Sequence, residues 1–373
     1  LSTAGFNTEF GMDDQNALES AAFIQNEQKF SEKISAEYGL RFSLFNNVGP
    51  GKVYKYDTSN DTLYPVTDST SYEKGDFFNT YSGLEPRLGI RYKLNEESSV
   101  KLSYNRTKQY IQLASNTASV TPVDMWFPSN PNIEPQKADQ VAIGYFRNFK
   151  DNTFESSVEF YYKKIHNTID FKDYSELFFN KYFDGELRTG DGFSRGAEFY
   201  IKKQSGKLTG WASYTISRTM RKAKGVNNNE YFFVPYDKTH NISLIGSYDF
   251  NDQLNFSTNW VYYSAIPITV PESKFNYNGL LVPIYSGRSE VRIKGTDYHR
   301  LDLSLTYKQS DLNEDGEKRR FKSSWNLSIY NAYSRHNAYS VIFQQSKKNP
   351  NQTVAMKLYM FKILPAITYN FEF

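Results

Sequence analysis

At the C-terminal end of the chain every odd-numbered position from Tyr359 to Phe373 is apolar or aromatic, and the positions between are mostly polar or small. The run is Tyr359, Phe361, Ile363, Pro365, Ile367, Tyr369, Phe371 and Phe373. A period of two is a strand with two different faces, and at ~3.3 Å per residue an unbroken strand of about 15 residues reaches about 50 Å. Soluble strands usually stop at ~5–6 residues. A tilted strand crossing an outer membrane needs ~9–11, so the run predicts a membrane-spanning β-strand. Pro365 brings no ladder donor, but the alternation continues through it and predicts a local irregularity only.

Membrane helices are excluded, since no stretch approaches the ~18 consecutive apolar residues such a helix needs. A closed barrel is then the remaining way to satisfy every backbone group in lipid. The mean hydropathy of −0.65 is no objection, because only alternate residues of a barrel strand face lipid. Aromatic residues make up 17% of the chain, enough to furnish two interfacial girdles, although soluble β-rich binding proteins can share that richness. Cysteine is absent, which removes disulfides, thiolate metal sites and cysteine nucleophiles. A net charge of +3 with no basic domain gives a nucleic-acid partner no electrostatic support. The chain opens at Leu1 without a charged-then-apolar leader, and the expectation is that a secretory signal has been removed or lies in sequence further upstream.

Alternating segments recur at about 15–27, 33–45, 84–94, 98–106, 137–148, 153–164, 192–203, 207–217, 239–250, 253–263, 297–308, 320–333 and 358–373. Leu88, Ile90, Tyr92 and Leu94, for example, alternate with Arg87, Gly89, Arg91 and Lys93. No segment sustains a 3.6 period, so the chain is all-β. Tight links, such as Asn251-Asp252, take turns with long ones at 46–83, 107–136, 165–191, 218–238, 264–296 and 334–357. Structureless loops above ~15 residues are uncommon in compact soluble domains. Here they fall on every second connection, which puts all long loops at one end of the sheet and all turns at the other. Short periplasmic turns and long extracellular loops are the topology of a transmembrane antiparallel up-and-down β-barrel. The last strand then runs inward. Thirteen segments is an odd number, whereas bacterial single-chain barrels are even-stranded, so either an N-terminal part of the barrel is expected outside this chain or the count is off by one strand.

Several stretches, in order along nearly the whole chain, resemble the C-terminal part of a TonB-dependent outer-membrane receptor, of the kind common in Bacteroidota. They are Glu85-Pro-Arg-Leu-Gly-Ile-Arg-Tyr92, Tyr104 to Asn116, Asn130-Pro-Asn-Ile-Glu-Pro-Gln-Lys137, Ser194-Arg-Gly-Ala-Glu198, Tyr236-Asp-Lys-Thr-His-Asn241, Ser264 to Pro271, Tyr298 to Ser304, Ile329-Tyr-Asn-Ala-Tyr333 and the terminal strand. The resemblance implies that residues 1–373 are the last strands of a 22-stranded barrel, with a plug domain and about nine strands not in this chain. It further implies import of a scarce nutrient across the outer membrane, powered by the inner-membrane proton gradient through TonB, which would engage the N-terminal region. It also implies that the final strand, with Tyr369, Phe371 and Phe373, is the signal read by the outer-membrane assembly machinery.

Motifs of other chemistries carry less. Gly192-Phe-Ser-Arg-Gly196 matches a nucleophile elbow, but that device needs a strand, a sharp turn and a helix, whereas Ala197, Phe199 and Ile201 continue at strand period. Asp311, Asn313 and Asp315 with Gly316 match the first half of a calcium loop, yet Lys322 stands where the bidentate Glu belongs. A polar periplasmic turn accounts for the same residues. His166, His240, His299 and His336 are scattered, and His240 and His299 at strand starts read as hydrogen-bonding positions. Asp302 and Glu198 alternate with apolar residues and are expected in the lumen.

Two loop features are candidates for ligand recognition. Trp126 with Phe127, and Tyr231 with Phe232 and Phe233, are aromatic clusters in expected extracellular loops, where exposure is costly unless something covers them. Arg218 and Arg221, with Lys222 and Lys224, form a basic run at an extracellular strand end, suited to lipopolysaccharide phosphates or an anionic chelate. Loops packing on loops and a solvated charge run are the plain alternatives. The expected function is an importer without catalytic chemistry or cofactor, set among outer-membrane lipids and lipopolysaccharide. The ligand would be a siderophore or other metal chelate, a glycan or a peptide. The alternative is a non-transporting barrel serving as scaffold in a surface complex, for instance with a surface lipoprotein.

Overall fold

The structure is a computed structural model that describes residues 14–60, 63–114, 125–175, 180–277, 280–285, 287–288, 291–310, 312–313, 316–317, 319–349 and 352–373. The wall is one antiparallel sheet, each strand hydrogen-bonded to the next wall strand in sequence. Its strands are β1 Asn16–Lys29, β2 Ile34–Val48, β3 Phe77–Lys93, β4 Ser98–Gln109, β5 Gln136–Phe149, β6 Phe154–Phe171 and β7 Leu187–Lys203. They continue with β8 Leu208–Ala223, β9 His240–Asp249, β10 Leu254–Tyr263, β11 Tyr298–Lys308, β12 Lys322–Tyr330 and β13 Leu364–Glu372. Among the described residues β1 and β13 each pair on one side only, so the sheet has two open edges. Every one of the thirteen expected segments is a wall strand.

The turn chemistry explains the tight ends. The Asn95 side chain accepts the backbone N–H groups of Glu97 at 3.0 Å and Ser98 at 2.8 Å. Asn251 does the same for Gln253 at 2.9 Å and Leu254 at 2.8 Å. Such Asx turns let a short polar side chain satisfy the backbone where the ladder stops. Lys150, Asp151 and Asn152 take positive φ to close the β5–β6 turn. One glycine is required inside a strand: at Gly210, with φ +148°, an added Cβ would collide with the Ile245 carbonyl.

Register aligns like with like across the wall. One outward row runs Tyr92, Val100, Tyr145, Val158, Phe199, Tyr214, Ile242 and Tyr262, each opposite the next on successive strands β3 to β10. A second row on the same face runs Leu254, Tyr307, Trp325 and Tyr369 across β10 to β13. The row behind it is Arg91, Lys101, Gly144, Glu159, Glu198, Thr215 and Asn241. A slip of one residue would exchange these faces, so the hydrophobic pattern fixes the register. Large side chains such as Phe42, Leu102, Phe160, Leu327 and Ile367 stand exposed on the apolar face, where lipid is their natural solvent.

Three expectations on strand limits are corrected. The terminal alternation is not one strand: Thr353–Leu358 pairs with Ser340–Gln345 in a hairpin, and the wall strand begins at Leu364. The odd-position alternation over residues 359–363 falls on the link between the two strands, where no ladder forms, so period two alone does not mark a strand. Pro365 stays in the ladder opposite Ile329, on an edge strand where a missing donor is tolerated. At the long-loop end, β3, β6, β7 and β8 extend beyond their expected limits, standing clear of the apolar band. The long loops carry their own hairpins, Gly51–Tyr56 with Val66–Tyr72, Ile111–Ala114 with Met125–Pro128 and Ser273–Tyr277 with Leu280–Ile284. Buried apolar residues concentrate there, in a cluster of Phe127, Ile133, Ile169, Phe171, Phe183 and Leu187.

Candidate functional site at the long-loop mouth

β6 carries an irregularity between His166 and Thr168, where Asn167 takes φ +56° and the register with β7 shifts. Beyond it the strand presents Thr168, Ile169, Asp170 and Phe171 as buried residues. The Asp170 carboxylate, with 4% of its side chain exposed, lies 2.6 Å from Arg221 Nη2 of β8, and Arg221 Nη1 donates to the Ile169 carbonyl at 2.8 Å. Arg288, from the loop between β10 and β11, brings Nε to 3.7 Å from Asp170 and Nη1 to 2.6 Å from Asp173, and donates from Nη2 to the Phe171 carbonyl at 2.9 Å. Nearby, buried Asp237 accepts the Thr219 backbone N–H at 2.6 Å and pairs with Arg292.

Arg221 of this network also lines a cavity of about 440 Å³. Gln109, Gln136, Thr168, Thr219, Arg221 and Tyr236 supply its polar lining, and Leu113, Ile165, Ile169, Phe171, Met220, Val234 and Pro235 its apolar lining. Thr168 Oγ1 and Arg221 Nε are buried without a hydrogen-bond partner among the described residues. An unmade buried hydrogen bond costs about 1–3 kcal/mol, so each atom would gain an acceptor if its side chain turned toward the cavity that the residue lines. A mainly apolar recess with a few convergent polar groups is the general form of a small-molecule site.

A second network ties three loops together. Asp184 accepts Asn132 Nδ2 at 2.9 Å and Asn130 Nδ2 at 3.1 Å, while Asn132 Nδ2 also reaches the Tyr54 carbonyl at 3.1 Å. Asn130 is oriented by accepting the backbone N–H groups of Asn132 at 2.9 Å and Ile133 at 3.1 Å. Burial pushes the Asp184 carboxyl above the usual carboxylate range, against the lowering effect of the two amides. Burial likewise raises Tyr56, with the Asp184 charge adding to it.

The residues singled out from the sequence part company here. Phe127 is buried against Phe183, with ring centroids 5.1 Å apart, whereas Trp126 beside it is 64% exposed. Phe232 is buried with Ala223 and Val226, and Tyr231 is exposed with its edge on Phe193 at 5.4 Å. Phe233 receives two guanidinium groups, Arg218 at 5.4 Å and Arg292 at 5.1 Å from its ring centre. Arg218 and Arg221 do not form one cluster: three residues apart in a strand, they project from opposite faces, Arg221 into the cavity and Arg218 outward. Of the residues named, Arg221 alone lines the cavity.

Other motifs find structural places. Ser194 lies inside the unbroken β7 and bonds Thr219 Oγ1 at 2.9 Å. His240 Nδ1 meets the Tyr214 hydroxyl at 2.9 Å and His299 Nδ1 the Tyr333 hydroxyl at 2.7 Å, the hydrogen-bonding positions expected of them. Asn313 accepts the Glu317 backbone N–H at 2.8 Å in a turn, and Asp311 and Asp315 lie outside the described residues. Tyr369, Phe371 and Phe373 form an exposed ladder, with Tyr369 4.6 Å from Trp325 and Phe371 5.4 Å from Phe373. Thr168, Asp170, Asp237, Arg288 and Arg292 were not anticipated. Asp237 stands in a stretch quoted above for its resemblance, while Arg288 meets Phe171 from 117 residues away, beyond any local pattern.

Comparison with known proteins agrees with this architecture. A search of curated sequences gives no match. The ferric-catecholate import receptor Fiu of E. coli K12, in its closed form, superposes with a TM-score of 0.56 at 16% identity, over 95% of this chain and 45% of that one. The ferripyoverdine receptor of the Pseudomonas aeruginosa outer membrane gives 0.56 at 12%, over 96% and 39%. BauA, the ferric preacinetobactin receptor of Acinetobacter baumannii, gives 0.55 at 16%, over 96% and 43%. The chain thus spans less than half the length of each of these structures. The family model for the TonB dependent receptor-like β-barrel matches residues 2–332, and the chain belongs to that family of outer-membrane barrel proteins.

Proposed function

We propose that this chain is the C-terminal wall and loop system of a TonB-dependent importer, and that its nutrient is an anionic iron chelate. The observation that carries the ligand class is the cavity at the extracellular mouth, where buried Arg221 Nε and Thr168 Oγ1 await acceptors beside the Tyr236 ring. The oxygen-rich periphery of a ferric chelate supplies such acceptors, and its organic backbone suits the Ile169, Phe171 and Met220 surface. The iron-chelate receptors that share the fold support the same class. Upstream strands would cover the open edges of β1 and β13, and an upstream plug would lie against the row of Arg91, Lys101, Glu159 and Glu198. Energy would arrive through TonB acting on that N-terminal region.

The full-length receptor should bind ferric catecholate or hydroxamate chelates. Tyr236→Ala and Thr168→Val should each weaken binding about tenfold or more at unchanged outer-membrane levels, and loss of TonB should abolish uptake while leaving binding intact. Binding of a glycan or peptide with no response to any ferric chelate would overturn the ligand class. Uptake that persists without TonB would overturn the energy coupling.

A further inference from the structure

Toward the extracellular end charged positions interrupt the apolar run on the outward face of four successive strands. Below them stand Val141 on β5, Tyr162 on β6, Ala197 on β7 and Ile216 on β8, the next outward positions are Asp139, Lys164, Arg195 and Arg218, and on β7 and β8 the apolar pair Phe193 and Met220 lies beyond the arginines. Asp139 is already occupied, accepting Arg106 Nε and the Tyr104 hydroxyl, both at 2.7 Å. The other three positions are exposed cations that enter no ion pair among the described residues. Arg195 stands directly opposite Arg218 in the β7–β8 register. Like charges on opposed positions destabilise a sheet, because their Cβ atoms lie only ~4.5–5.5 Å apart. Two steps higher on this face, past Phe193 and Met220, Lys222 faces Asp191, whose carboxylate is taken by His166 at 3.0 Å.

We infer that Arg195 and Arg218, with Lys164 at their side, form a binding site for the phosphate groups of a phosphorylated glycolipid in the outer leaflet. Two guanidinium forks on adjoining strands match the tetrahedral oxygens of a phosphate monoester, which arginine engages in paired hydrogen bonds. The patch is continuous with the lipid-facing apolar surface and faces away from the cavity, so its occupant comes from the membrane and not from the imported nutrient. Tyr162, Phe193 and Tyr231 stand beside the arginines, with Tyr231 packed on Phe193 and Arg195 5.7 Å from the Phe193 ring centre. Amphipathic rings of this kind settle at the junction of acyl chains and headgroups. The site is independent of what the barrel imports.

The test uses the full-length receptor, stripped of lipid in detergent with a chelator and titrated with bisphosphorylated lipid A while its thermal unfolding is followed. The wild-type midpoint should rise, and Arg195→Gln/Arg218→Gln should bind at least about tenfold more weakly. Arg195→Lys/Arg218→Lys, which keeps the charge, should recover part of the shift and guards against a folding defect. Dephosphorylated lipid A and inorganic phosphate alone should give no shift. Equal binding by wild type and the glutamine pair, an equal response to dephosphorylated lipid A, or full competition by inorganic phosphate would each overturn the proposal.

Discussion

Oδ2 of Asp170 lies 2.6 Å from Nη2 of Arg221, and this contact fastens the top of β6 to the top of β8 across the intervening β7. Both side chains are largely withdrawn from solvent, so the pair behaves as a buried one whose attraction offsets a large desolvation cost.

Removing one partner should therefore harm the protein more than removing both. Arg221→Met leaves the Asp170 carboxylate with Arg288 at 3.7 Å as its nearest cation and should cost about 3–5 kcal/mol. The double variant Asp170→Leu/Arg221→Met should recover much of that loss. The temperature at which the folded form disappears from unboiled gels measures it. Additive losses in the two single variants would show the contact to be idle.

Asp184 predicts a pH dependence confined to the loops. Its carboxyl is raised by burial and is met by amides, not by a cation, so the folded state binds a proton over a pH range in which the unfolded loop has released it. Stability from this group is then greatest at low pH and falls as pH rises through the raised value. Protection of the amides around Tyr182–Leu187, measured against the intrinsic exchange rate at each pH, should rise as the medium is acidified from neutrality, and Asp184→Asn should flatten that response. Protection that is indifferent to pH in the wild type would refute it.

The wall was legible because a lipid-facing strand writes its orientation into every second residue, as Leu88, Ile90 and Tyr92 do on β3. Legibility failed where that solvent contrast fails. Residues 77–83, 165–171 and 218–223 rise above the apolar band, packed by loops or open to water, and these stretches of their strands carry no alternation. The bend before Leu364 was hidden for the opposite reason: the alternation of Tyr359, Phe361 and Ile363 runs through the link into the wall strand without a break in phase. The site was the least legible part. Arg221 could be named as a cation, but its partner Asp170 follows a strand irregularity, and Arg288 arrives from a remote loop. The aromatic clusters divide for a physical reason, since Phe127 and Phe232 give the long loops a small core while Trp126 and Tyr231 stay exposed.

The C-terminal ladder makes the last prediction. Phe373 is 87% exposed at the end of an edge strand, and Phe371 and Phe373 both lie against Phe321, with ring centroids 6.1 and 6.0 Å away. An exposed edge with apolar side chains is a template for strand pairing, which is hazardous in water and useful to a machine that adds strands. If that edge is the assembly signal, its rings matter before folding is complete, more than in the finished barrel. Deleting Phe373, or changing Phe371→Ala, should lower the amount of receptor in the outer membrane several-fold. The fraction that does insert should keep a thermal midpoint within a few degrees of wild type, because each ring is anchored on one side only. Quantitative blotting of outer-membrane fractions beside unboiled gels separates the two effects. Unchanged levels in both variants would remove the signalling role, and normal insertion of a markedly less stable barrel would reassign the ladder to stability.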